Sequence, residues 1–170
     1  NRSSRIVYGL SAIRNVGEGI VSLLISERNS NGPFVDFYDF CERVDLQVLN
    51  RRAIEALIKA GAFDSLGHTR QGLLASYEQI IEQTVSRRRE KEMGVMTLFE
   101  VAPDDASQVF DDKILIPEIE FEKQQRLSFE KEMLGRYISD HPLRGYEGTL
   151  RRKCDATSQG VSSLGEGQVI

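Results

Sequence analysis

The sequence has no excess of basic charge. Its 22 Lys and Arg face 26 Asp and Glu, for a formal charge of −4 and a pI near 5.3. That excludes a protein gripping nucleic acid by a broad basic surface. Cysteine is scarce: Cys41 and Cys154 stand alone, with no partner at metal-ligand spacing. They read as reduced thiols of a cytosolic protein, not as a disulfide frame. His68 and His141 are far apart and lack clustered cysteines or carboxylates, so no metal site is expected. No run approaches the ~20 apolar residues of a membrane span, and no signal peptide opens the chain. A cytoplasmic monomer with no membrane partner is the expectation. What is present is ordinary globular composition, 40% apolar and 28% charged. A length of 170 residues suffices for one domain, or one domain plus an appendage.

Charge is unevenly placed. Residues 1–90 carry 12 basic and 11 acidic groups, whereas Glu100–Glu122 sets eight acids against Lys113 alone. The first half reads as short helices. Ile20, Leu23 and Leu24 form a stripe that fades into Asn29–Pro33. Phe34, Phe37, Phe40, Cys41 and Val44 fit one helical face, with Asp36 as its cap and core as its destination. Asn50 caps the next helix, whose face is Ile54, Leu57 and Ile58. A longer helix starts near Thr69 with the stripe Leu73, Leu74, Tyr77, Ile80 and Ile81. It ends in Arg87–Lys91, read as a solvated end that complements the helix dipole. Residues 92–117 read as an acidic linker with one apolar island, Val95–Phe99. A helix is expected from Glu118, with Leu127, Leu134, Tyr137 and Ile138 on one face, ending at His141-Pro142. Tyr146–Lys153 reads as one more short helix. The tail ends in Gln168-Val169-Ile170, which reads as the opening of a strand, so the expectation is a chain cut from something larger.

Two glycine turns carry the information. Ile13-Arg14-Asn15-Val16-Gly17-Glu18-Gly19-Ile20 passes from an apolar helix end through Val-Gly-x-Gly into an amphipathic helix, the pattern of a helix-hairpin-helix. Glycines admit positive φ and close backbone approach. The following helix presents unpaired N–H groups at its positive dipole end, a donor set suited to phosphate. Such donors bind phosphate oxygens without reading bases. The competing reading makes Gly17 and Gly19 a tight corner between packed helices. Ala56–Asp64 repeats the scheme around Lys59, Ala60 and Gly61. Two such hairpins can grip both backbones across a minor groove. Arg14 and Asn15 flank the first turn, and Lys59 and Arg70 the second, as candidate phosphate contacts.

Tyr8–Gly17, Asp39–Asp45, Leu57–Asp64 and Phe129–Leu143 together resemble the bacterial DNA polymerase III alpha-subunit family, in the family's order. The resemblance runs from about Ile6 to Tyr146. It implies an all-α architecture: a tandem helix-hairpin-helix domain over residues 1–91, an acidic linker over 92–117 and a helical connector over 118–153. Residues 154–170 would lead into a truncated OB-fold. In that family the region holds the duplex emerging behind the polymerase active site. The positions carried over are Val16, Gly17, Gly19, Lys59, Ala60 and Gly61. The family also bears an internal sliding-clamp motif of Gln, two variable residues, an aliphatic residue and Phe. The matching stretch is Val95-Met96-Thr97-Leu98-Phe99, where Val95 removes the amide that would bond beside the clamp pocket. Two other departures are Asp140 where glycine is common and Phe121 where tryptophan often sits. The implied partners are double-stranded DNA, the clamp and the rest of the polymerase and its replisome.

Catalysis is not expected of this chain. Polymerase chemistry needs carboxylates holding two metal ions, and Asp104-Asp105 and Asp111-Asp112 read as solvating charge in a loop. No cofactor is implied. Two other readings remain: a helix-hairpin-helix part of a DNA repair enzyme, for which Asp64 is the one catalytic candidate, and a clamp-docking module built on Leu98-Phe99. The leading expectation is a non-catalytic, sequence-independent duplex-binding segment with weak affinity and a shallow salt dependence.

Overall fold

Side-chain caps decide where three of the helices begin. Asp36 accepts from the Asp39 amide, Asn50 from the amides of Arg52 and Ala53, and Thr69 from that of Gly72. Each satisfies donors that the first helical turn leaves orphaned. The computed structural model describes residues 9–93 and 113–146, with 148, 149 and 152. Val95–Phe99, the aspartate pairs, Cys154 and the strand-like tail lie outside them. The regular structure among the described residues is all helical. A 3-10 turn at Leu10–Ala12 precedes α1 (Glu18–Asn31), α2 (Phe37–Arg43) and α3 (Arg51–Lys59). A second 3-10 turn at Asp64–Leu66 leads to α4 (Arg70–Glu92), and α5 (Lys123–Leu134) follows.

The core forms where the apolar faces of α2, α3 and α4 meet. Phe37, Phe40, Ile54, Leu57, Ile58, Leu73 and Ile80 are buried there. Phe63 stands edge-on to both Phe37 and Phe40, with ring centroids 5.2 and 4.9 Å apart. The aromatic stripe is therefore core, as its spacing predicts. Cys41 lies in the same core, where burial pushes its thiol up to about 12 and keeps it protonated at neutral pH. Arg43 ties the end of α1 to α2: its guanidinium donates to Glu27, Asp39 and the carbonyls of Gly32 and Pro33. The arginine run at the end of α4 is only partly solvated, since Arg88 donates to the Val44 carbonyl at 2.8 Å.

The second half departs from its sequence pattern in two places. The helix expected from Glu118 starts at Lys123, because residues 113–122 run extended against the start of α4. Ile114 and Ile116 pack on the core, the Tyr38 hydroxyl donates to the Ile114 carbonyl, and the Gly72 amide donates to the Ile119 carbonyl at 3.2 Å. That helix also stops at Leu134, not at His141-Pro142. Gly135 takes φ +71 there, the left-handed cap that ends a helix. Tyr137 and Ile138 thus leave the buried face and are exposed. Their segment is held instead by Glu130, whose carboxylate accepts from the amides of Ile138 and Ser139.

Candidate nucleic-acid interface

The first hairpin is built from the left-handed turn at Asn15 and the uncapped start of α1. Asn15 takes φ +67, so the turn's positive φ falls on asparagine, not on a glycine. Asparagine tolerates that region better than most residues. Val16 is buried and its amide donates to the Ile13 carbonyl. Gly17 sits at the N-cap with φ −75 and ψ 155, a conformation open to any residue. A Cβ added to Gly17 or Gly19 would meet nothing within 4 Å. The chain's own packing therefore does not require either glycine. Gly17 has no side chain to cap α1, and among the described residues no other side chain does so, which leaves its first-turn N–H groups beside two positions stripped of side chains. Arg14 is exposed next to them, and among the described residues nothing pairs with its guanidinium. Glu18, also exposed, is the opposing charge in this first turn.

A groove of about 680 Å³ opens beside this turn. Gly17, Gly19, Ile20 and Leu23 of the α1 side line it, with Gln47 opposite.

The second hairpin is closed by the chain itself. Gly61 takes φ +79, and a Cβ there would come within 2.6 Å of Arg70 Cζ and 2.9 Å of Asp64 Oδ2. Its glycine serves packing. Arg70, expected at the surface as a phosphate contact, is 4% exposed. Its guanidinium donates to Asp64 at 2.6 and 2.9 Å and to Glu130 at 3.0 Å. Arg70 is a structural cation, and the phosphate role expected of its side chain does not fit its burial. Burial would lower its pKa, but the bonds to Asp64 and Glu130 raise it, so it stays charged. Lys59 pairs with Glu55 at 2.8 Å and lies over the Phe129 ring. The amides of Ala60, Gly61 and Ala62 donate to the α3 carbonyls of Ala56, Ile58 and Leu57. At the start of α4 the Glu120 carboxylate accepts from the amides of Arg70 and Gln71, where a phosphate would otherwise find donors. Asp64, the one catalytic candidate of the repair-enzyme reading, is tied to Arg70 by both oxygens.

α5 braces both turns, a role invisible in the hairpin pattern. The Arg14 amide donates to the Met133 carbonyl at 2.9 Å, and Glu130 holds Arg70 one turn earlier. A signal was available in Ile114-Leu115-Ile116-Pro117: three consecutive apolar residues before a proline suit a packed extended strap better than a solvated linker. Among the described residues no group of three or more His, Cys, Asp or Glu is placed to hold a metal ion. No described helix is long and apolar enough to cross a membrane.

This arrangement defines a helix-hairpin-helix protein, and the family model described as helix-hairpin-helix motif matches residues 1–73. Sequence comparison carries the assignment further. The chain is 40% identical over 150 residues to DNA polymerase III subunit alpha of Mycobacterium leprae, covering 88% of this chain and 13% of that protein. It is 39% identical to the Pseudomonas aeruginosa protein of that name over 87% of this chain and 14% of that one. Against the Haemophilus influenzae protein it is 34% identical over 99% of this chain, again 14% of the relative. The chain belongs to the DNA polymerase III alpha-subunit family, and it spans about one-seventh of the length of these relatives.

Proposed function

We propose that this chain is a non-catalytic, sequence-independent duplex-binding segment of a replicative polymerase, and that the first hairpin carries the contact. The observation behind this reading is the open space at Gly17 and Gly19, whose missing side chains the fold does not need. Backbone N–H groups at a helix start suit a phosphate oxygen, and they recognise every nucleotide alike. The second hairpin acts as scaffold, its donors taken by Glu120 and its basic side chains by Asp64, Glu130 and Glu55. Of the basic candidates, Arg14 is the one with no carboxylate partner among the described residues, and so the one left for phosphate. The salt slope should then be near −1 to −2, given roughly −0.9 per phosphate neutralised by Lys or Arg. The clamp motif Val95–Phe99 stays a separate proposal, since it lies outside the described residues.

The test is duplex binding by the 170-residue chain, by fluorescence anisotropy across a salt series. Gly17→Asp should weaken binding about tenfold, equivalent to about 1.4 kcal/mol. The fold should persist, because aspartate is a favoured N-cap. Glu18→Gln should strengthen binding by removing the opposing charge. Unchanged affinity in Gly17→Asp would overturn the first hairpin as the contact.

A further inference from the structure

The groove beside the first hairpin has a chemistry that phosphate binding alone leaves unexplained. Among the described residues no charged side chain lines it. Ser22 lines it but donates its hydroxyl to the Glu18 carbonyl at 2.9 Å, so the hydroxyl is engaged within α1. Ser26 and Gln47 are the other polar side chains among the described lining residues; Ile20 and Leu23 supply hydrocarbon. Gly17 and Gly19 belong both to the uncapped helix start and to the groove's lip.

Covalent chemistry then limits what can occupy it. A phosphate on the α1 amides is an ester of a sugar, and that sugar must lie beside the same two glycines. We infer that the groove seats the deoxyribose adjoining the bound phosphate, and that this makes the face selective for DNA over RNA. The inference rests on the phosphate reading above. A deoxyribose edge offers a methylene to Ile20 and Leu23. A ribose would put a 2′-hydroxyl against hydrocarbon, losing water bonds without full replacement. The 2′-hydroxyl is the group by which a protein tells the two polymers apart at one site. Every deoxynucleotide presents the same sugar, so the discrimination is chemical and not sequence-dependent.

Anisotropy titrations of the 170-residue chain test it with three duplexes of one sequence. One is all DNA, one carries ribonucleotides along one strand, and one carries 2′-fluoro sugars along that strand. The fluoro duplex shifts helix geometry toward that of RNA without adding a hydroxyl. The ribo duplex should bind about fivefold more weakly than DNA, on the order of one unmade hydrogen bond, and the fluoro duplex close to DNA. Leu23→Gln supplies an amide to the hydroxyl and should bring the ribo-to-DNA ratio toward one. Gln47→Ala, on an exposed turn, removes a polar wall and should widen the ratio, which keeps the test decisive should Leu23→Gln unfold. Equal binding of DNA and ribo duplexes with a normal salt slope would overturn the sugar seat and leave the phosphate reading standing. So would a ratio unmoved by both substitutions. Absence of binding to any duplex would overturn both.

Discussion

Glu130→Ala is expected to destabilise the chain by about 3–5 kcal/mol, the range for removing one partner of a buried ion pair. The Glu130 side chain is 1% exposed and its carboxylate serves three donors: Arg70 and the amides of Ser139 and Ile138. Truncation strands the Arg70 guanidinium in the core with Asp64 as its remaining carboxylate. Chemical denaturation should show the loss directly. A double change, Arg70→Met with Glu130→Leu, should recover part of it, because it also removes the buried Arg70 charge and leaves the amides of the exposed Ile138 and Ser139 to water. A loss below 1 kcal/mol for Glu130→Ala would show that the network contributes little. The same carboxylate sets an acid limit. Burial pushes its pKa up, but the Ser139 and Ile138 amides and Arg70 outweigh this and hold it below the usual carboxylate range. Its stabilisation is therefore full above the unfolded value near 4.5 and is lost as pH falls through the lower folded value. Asp140, held at about 2 chiefly by its bond to Lys123, extends the decline from 3.8 toward 2. Stability should be flat near pH 6 and fall steadily below 4.5.

The legible parts of this fold are those whose causes are local. Asp36, Asn50 and Thr69 cap the helices their spacing predicts, because a capping side chain bonds within three residues. The apolar stripes of α2, α3 and α4 find the core for the same reason. What sequence spacing missed is tertiary. Arg70 looks like any exposed arginine beside a turn until Glu130, sixty positions on, is brought to it. Glu120 counts as one more acid in a solvating linker until Ile114 and Ile116 pin that strand across the start of α4. The end of α5 was readable in principle, from Gly135. The pattern Leu127, Leu134, Tyr137 and Ile138 hid it by continuing the period past the glycine. At the candidate site, the sequence pointed to both glycine turns but gave them equal weight. The space around each glycine tells them apart: it is open at Gly17 and Gly19 and filled at Gly61.

That separation predicts opposite outcomes for one substitution at two positions. Gly61→Ala should cost about 3 kcal/mol or more. Left-handed φ alone costs a non-glycine residue roughly 1–2 kcal/mol, and the added Cβ would drive Arg70 off Asp64 and Glu130. Gly19→Ala should instead stabilise by up to about 1 kcal/mol, the helix propensity difference, since nothing lies within 4 Å of the new methyl. Thermal unfolding should therefore place the two variants on opposite sides of the wild type. Duplex affinity should not follow stability. The Gly19 methyl would stand at the groove's lip, between the α1 amides and an approaching phosphate, so the more stable protein should be the weaker binder by several-fold. A Gly19→Ala variant that is both more stable and equally able to bind duplex would place the contact elsewhere on the molecule. In a wild type under selection for stability alone, alanine would be the better residue at position 19; glycine there fits a surface shaped by something outside the chain.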